Sequence, residues 1–133
     1  MIVDASVAVP WLIETPFSKA ARKLSTLDLV APRLVLTETT SALLKHHRVG
    51  QITLVGITSG LAELQRVIAD FADDEKLLPA ATDIAATHNH KIYDCLYLAL
   101  ALQQREPLAT ADRRLAALAE SLSIETQLIR PEA

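Results

Sequence analysis

Met1-Ile2-Val3-Asp4-Ala5-Ser6 opens with three apolar residues, then a carboxylate, then the start of a helical pattern. Pro107-Leu108-Ala109-Thr110-Ala111-Asp112 repeats the arrangement near the other end of the chain. Short apolar runs without polar alternation suit strands buried on both faces, as in a parallel sheet covered by helices. Further strand-like runs lie at 28–31 and 124–129, with a weaker one at 76–78. Helical patterns at 5–13, 17–26, 33–48, 53–71, 81–88, 93–105 and 112–122 separate them. This alternation predicts an α/β domain with a short parallel sheet.

Several boundaries are marked chemically. Thr15-Pro16 reads as a cap followed by a first-turn proline, and Ala31-Pro32-Arg33 resembles the same device in part. Gly50 follows Lys45-His46-His47-Arg48 as a helix stop, and Thr53 reads as the next cap. In 53–71, Leu54, Ile57, Leu61, Leu64, Ile68 and Phe71 recur at helical steps. Gly56 and Gly60 share a face of that helix, which suits close packing of another element. Pro10 inside the first helix is expected to kink or end it.

The 133 residues fit one domain, 1–133, with no linker, repeat or low-complexity tract. Half of the residues are apolar and few are aromatic, so Leu, Ala, Val and Ile must build the core. Cys95 is the only cysteine, so no disulfide forms within the chain, and its apolar neighbours suggest a buried structural thiol. That composition suits a reducing compartment, and a cytoplasmic location is expected. No apolar stretch reaches membrane-spanning length, and no basic leader precedes the first strand. The net charge of −3 neither advertises nucleic-acid binding nor excludes it, since basic residues can cluster locally.

The acids Asp4, Glu38, Asp94 and Asp112 carry the chemistry. In open parallel sheets, ligands bind beyond the carboxyl ends of the strands. Asp4 and Asp112 each follow a strand and precede a helix, which places them at that edge. Glu38 and Asp94 lie near helix starts that face the same edge. Taken singly, Asp4 reads as a helix cap, and Asp94 and Asp112 as first-turn acids favoured by the helix dipole. Glu38 is harder to explain away, because it shares a helix face with apolar positions. Four converging carboxylates repel one another, and a divalent cation is the usual remedy. Oxygen-only ligands suit Mg²⁺ or Mn²⁺, and such a site suits phosphodiester cleavage.

His88-Asn89-His90 lies in a polar stretch without the other parts of a histidine-based site and reads as a solvated loop. His46-His47 belong to a basic helix end. Arg33, Arg113 and Arg114 lie nearer the acidic edge and are candidates for RNA phosphate contacts; the alternative for each is an ordinary solvated arginine.

Four segments, in order along the chain, resemble the motifs of PIN-domain ribonucleases, and within that group those of VapC toxins. They are Ile2-Val3-Asp4-Ala5-Ser6, Thr37-Glu38, Tyr93-Asp94-Cys95-Leu96-Tyr97-Leu98-Ala99-Leu100-Ala101, and Thr110-Ala111-Asp112-Arg113-Arg114-Leu115. The resemblance implies a three-layer α/β/α fold with a parallel sheet. It implies Mg²⁺ or Mn²⁺ held by Asp4, Glu38, Asp94 and Asp112, with the hydroxyls of Ser6 and Thr110 orienting the site or binding solvent. It further implies an endoribonuclease toxin, a homodimer, and a VapB-type antitoxin that blocks the site. Pro10 is unusual in the first helix of that family, and Cys95 replaces a commoner small residue. A housekeeping RNA-processing nuclease and an inactive PIN-like binding module are the alternatives. A phosphate-signalling receiver domain is disfavoured, because Asp4 stands alone after its strand and no lysine follows the last strand.

Overall fold

The computed structural model describes residues 1–132. The elements run β1 (Ile2–Val3), α1 (Ala5–Leu12), α2 (Ser18–Arg22), β2 (Val30–Pro32), α3 (Leu34–Arg48), α4 (Leu54–Val67), β3 (Asp70–Ala72), α5 (Asp74–His88), α6 (Ile92–Gln104), β4 (Leu108–Thr110), α7 (Arg113–Ser121) and β5 (Thr126–Leu128). The strands form one parallel sheet in the order β3-β2-β1-β4-β5. Ile2 of the central strand pairs with Val30 on one side and Leu108 on the other. Both residues of β1 are fully buried, as are all three of β4.

From β1 to β3 the chain steps one way across the sheet, and from β3 to β5 it steps back. Right-handed crossovers therefore place α1–α4 on one face and α5–α6 on the other, giving three layers. The main core is built where Leu98, Leu100 and Tyr97 of α6, Val7 of α1 and Leu64 of α4 meet the strands. A smaller cluster of Val9, Leu43 and Ile57 joins α1, α3 and α4.

The local devices are largely those the sequence suggests. Thr53 Oγ1 accepts the Gly56 amide at 3.0 Å, and Gly50 takes a φ of +80° after α3. A Cβ on Gly60 would lie 3.2 Å from Leu12 Cδ1, so the missing side chain lets α4 approach α1. Pro10 is buried inside α1, which ends two residues later. His47 Nδ1–H donates to the Ile52 carbonyl at 2.7 Å, tying the α3–α4 turn. Pro32 ends β2 rather than starting a helix.

Two expectations are corrected. Residues 76–78 are helical, inside α5, which begins at Asp74 because Asp73 caps it by accepting the Glu75 amide. The outer strand beside β2 is instead Asp70–Ala72, whose first two residues lie in the stretch expected to close the helix of 53–71. That helix stops at Val67, where Ile68 turns extended. Phe71 thus fits a helical period while belonging to a strand.

Candidate active site

β1 and β4 are neighbours whose following connections leave in opposite directions across the sheet. Such a switch point opens a crevice at the carboxyl ends of the two strands. Asp4 stands there, directly after Val3, with extended backbone. It occupies the N-cap position of α1 but makes no side-chain cap bond. Its side chain is turned into the protein and is only 7% exposed. Ser6 Oγ donates to Oδ1 at 2.6 Å, and Thr110 Oγ1 donates to Oδ2 at 2.7 Å. Each hydroxyl has one proton, and both protons are directed at Asp4. Their lone pairs take the amides beyond β4: Ala111 N–H donates to Ser6 at 2.8 Å and Asp112 N–H to Thr110 at 3.0 Å. Burial pushes the Asp4 carboxyl up to about 6, against the pull of the two hydroxyls, and the charges of Asp94 and Glu38 push the same way.

Glu38 lies on the second turn of α3 and is half-buried. Tyr97, almost wholly buried on α6, donates its hydroxyl to Glu38 Oε1 at 2.6 Å. Burial raises the Glu38 carboxyl above its ordinary range; the tyrosine hydrogen bond opposes this and the charge of Asp94 adds to it. Burial, with the Glu38 carboxylate next, raises the Tyr97 hydroxyl and keeps it a donor.

Asp94 sits in the first turn of α6 and is 8% exposed. Its Oδ2 lies 2.8 Å from His90 Nε2 and 3.8 Å from Lys91 Nζ. The expectation of a solvated His88–His90 loop is therefore corrected at His90. Asn89 ends α5 in the left-handed conformation and the chain turns at once into α6, so His90 faces Asp94 one helical turn ahead.

Asp112 closes the other side. Its Oδ1 accepts the amides of Arg114 at 2.9 Å and Leu115 at 3.2 Å, capping α7. The cap reading that fails at Asp4 thus holds at Asp112. Asp94 and Asp112 line one cleft of about 150 Å³ with Asn89, His90, Lys91 and Arg114. Among the three sequence-nominated arginines, Arg114 lines this cleft. Arg113 borders a different depression beside Phe17 and Leu128, and Arg33 is exposed at the start of α3.

The donor set is carboxylate and hydroxyl oxygen, which matches a hard divalent cation. Among the described residues Asp4 and Glu38 have no ion-pair partner, and Lys91, 3.8 Å from Asp94, compensates the crowded negative charge only in part. Glu38 Oε2, Asp94 Oδ1 and Asp112 Oδ2 have no hydrogen-bond partner there either. Among the described residues no group of three or more acidic, histidine or cysteine side chains is arranged to hold a metal outright.

Sequence reasoning missed two side chains at this site. Tyr97 is the one buried tyrosine in the apolar run of α6, but its partner Glu38 lies 59 residues away. The only clue to His90 was its four-residue spacing from Asp94.

The chain belongs to the PIN-domain family, whose model matches residues 1–121. Among curated proteins none matches it. Its fold is similar to that of PAE2754 from Pyrobaculum aerophilum, at 22% identity and a TM-score of 0.71, over 91% of this chain and 84% of that one. It is also similar to Mycobacterium tuberculosis VapC20, a sarcin-ricin loop cleaving toxin, at 17% identity and a TM-score of 0.69, over 87% of this chain and 92% of that one. Among the described residues no helix is long and apolar enough to cross a membrane.

Proposed function

We propose that this protein is a metal-dependent endoribonuclease, a single catalytic domain that hydrolyses RNA phosphodiester bonds as the toxin of a VapBC-type pair. One observation carries the reading. Asp4 is buried at the switch point of the sheet, raised by burial and by the charges of Asp94 and Glu38, with no cation paired to it among the described residues. A fold does not keep such a carboxylate for stability, because burying a charge is costly and the hydroxyls of Ser6 and Thr110 offset that cost only in part. Nucleases with this domain are generally metal-dependent ribonucleases. The likeness to a toxin that cleaves RNA supports the substrate class.

Asp4, Glu38, Asp94 and Asp112 would hold Mg²⁺ or Mn²⁺. When bound, the ion supplies a water made nucleophilic at neutral pH and positive charge against the attacked phosphate. The remaining work falls to the chain. Ser6 and Thr110 orient both oxygens of Asp4. Tyr97 holds Glu38 so that its second oxygen stays available. Arg114 and Lys91, beside Asp112 and Asp94, would meet the phosphates of the RNA strand as it crosses the cleft. Arg33 and Arg113 would contact it further out.

An acidic groove open to RNA is also open to a basic peptide. A VapB-type antitoxin would place an arginine or lysine against the acids and displace the metal by supplying the same charge. The toxin itself would act in the cytoplasm as a symmetric dimer.

The test uses purified protein and single-stranded RNA. Cleavage should require Mg²⁺ or Mn²⁺, stop with chelator, and fall steeply in Asp4→Asn. Expression of the chain alone should arrest growth, and co-expression of the adjacent small gene should relieve it. RNA left intact at every metal concentration would defeat the nuclease reading. Cleavage with equal toxicity from wild type and Asp4→Asn would defeat only the toxin reading.

A further inference from the structure

Each acid at the site is engaged by a specific donor, Asp4 through both oxygens and the other three through one. Asp4 has Ser6 and Thr110, Glu38 has Tyr97, and Asp112 has the amides of α7. For Asp94 the donor is His90, and this arrangement is the least expected of the four. Asp94 lies in the first turn of α6, where a carboxylate ordinarily turns back onto the free amides of its own helix. It makes no such bond. Instead Oδ2 faces His90 Nε2 at 2.8 Å. A carboxylate can only accept, so Nε2 carries the proton in this pair. Lys91 is no substitute: it is 3.8 Å away, beyond hydrogen-bond distance, and largely exposed.

His90 is itself firmly held. Ala85 O receives the amides of both Asn89 and His90, the latter at 3.1 Å. The left-handed Asn89 sets the turn, and the His90 side chain is only 9% exposed. We propose that His90 is a positioning residue, which keeps the Asp94 carboxylate off the α6 amides and leaves Oδ1 for the metal ion. The proposal rests on the metal-dependent reading above, and it assigns to this chain a support that its four acids do not by themselves supply. Groups that orient a ligating carboxylate change metal affinity about 10- to 100-fold when removed.

The reach of the donor provides the test. A glutamine amide nitrogen lies about as far from the backbone as histidine Nε2, whereas the asparagine amide is one methylene shorter. Mn²⁺ binding to the full chain is followed by loss of the free-Mn²⁺ EPR signal. His90→Ala and His90→Asn should weaken binding about tenfold, and His90→Gln should stay within about threefold of wild type on the same scale. Far-UV circular dichroism and melting temperature report folding alongside. If His90→Ala fails to fold, the Gln and Asn variants decide between them. Wild-type affinity in His90→Asn, or equal loss in the Gln and Asn variants, overturns the proposal. Asp94→Asn separates the two readings. If it loses Mn²⁺ while the His90 variants all bind like wild type, only the positioning role falls. If it binds like wild type, Asp94 is no ligand and both claims about this side chain fall.

Discussion

Asp4 and Asp112 occupy equivalent places, each between a parallel strand and the helix that follows it, yet they are held in opposite ways. Asp112 turns Oδ1 onto two amides of α7, as an aspartate at a helix N-terminus does. Asp4 makes no side-chain bond to the amides of α1 and turns both oxygens onto hydroxyls, Ser6 of α1 and Thr110 of β4. Helix capping accounts for Asp112 even in a protein with no activity. Helix capping does not account for Asp4. The same residue type at the same topological position is thus structural in part at one strand and a buried carboxylate without a cation at its neighbour. Only the second argues for a ligand without further help.

The sharpest way to break the contrast is activity. Asp4→Asn and Asp112→Asn should each lower metal-dependent RNA cleavage on the order of 10²–10³-fold, the scale of losing one preorganised electrostatic group. Full activity in Asp112→Asn would reduce that residue to its cap and leave a three-acid site.

Next in size is the pH dependence of the metal-free protein. The Asp4 carboxyl is raised to about 6 in the folded chain, while in the unfolded chain it titrates near 3.8. Between those values the folded state holds a proton that the unfolded state has released. Stability from this group is therefore complete at low pH, declines as pH rises through the window, and is gone above about 6. Glu38, also raised, adds in the same direction. With chelator present, the loss from pH 4 to 7.5 should be about 2–3 kcal/mol from Asp4. Thermal melts across that range should show it, and Asp4→Asn should flatten the curve. Mn²⁺ added at pH 7.5 should restore stability to wild type and not to Asp4→Asn.

The contrast was half legible in the sequence. An apolar run closed by Asp marks both strand ends, because buried parallel strands leave no polar alternation to confuse the reading. Which of the two acids caps its helix depends on side-chain direction, and local sequence does not encode that. β3 was illegible for a related reason. Asp70, Phe71 and Ala72 have no strand pattern and form an outer strand only because β2 supplies the ladder at Val30, Ala31 and Pro32. The partners of the acids divide the same way. Ser6 stands two residues from Asp4 inside its motif, whereas the Tyr97–Glu38 and Thr110–Asp4 pairs exist only once α3, α6 and the strands are assembled.

Thr110 joins the two halves of the comparison, since its hydroxyl donates to Asp4 and accepts the Asp112 amide. Thr110→Val keeps the shape and removes both bonds. It should destabilise the protein by about 1–2 kcal/mol, leaving a buried carboxylate and an amide each short of a partner. Urea unfolding measures this, and the loss should shrink when Asp4→Asn is already present, because the two residues share one network. Simple additivity would show that Thr110 supports the strand and not the carboxylate.

The smallest effect isolates the cap. Asparagine caps helices about as well as aspartate, whereas alanine does not, and the difference is about 1 kcal/mol. Asp112→Asn should therefore leave the melting temperature near wild type, and Asp112→Ala should lower it. Both variants should lose Mn²⁺ affinity to a similar extent, because an amide oxygen lacks the charge that a hard cation seeks. Stability and metal binding would then separate at one residue: the shape of the side chain serves the helix, and its charge serves the site. At Asp4 the same pair of substitutions cannot separate in this way, because no cap exists to lose. If Asp112→Asn lowered the melting temperature as much as Asp112→Ala, the charge itself would be stabilising α7 through its dipole. Asp112 would then be explained by folding alone, and its place among the metal ligands would rest on the cleavage assay.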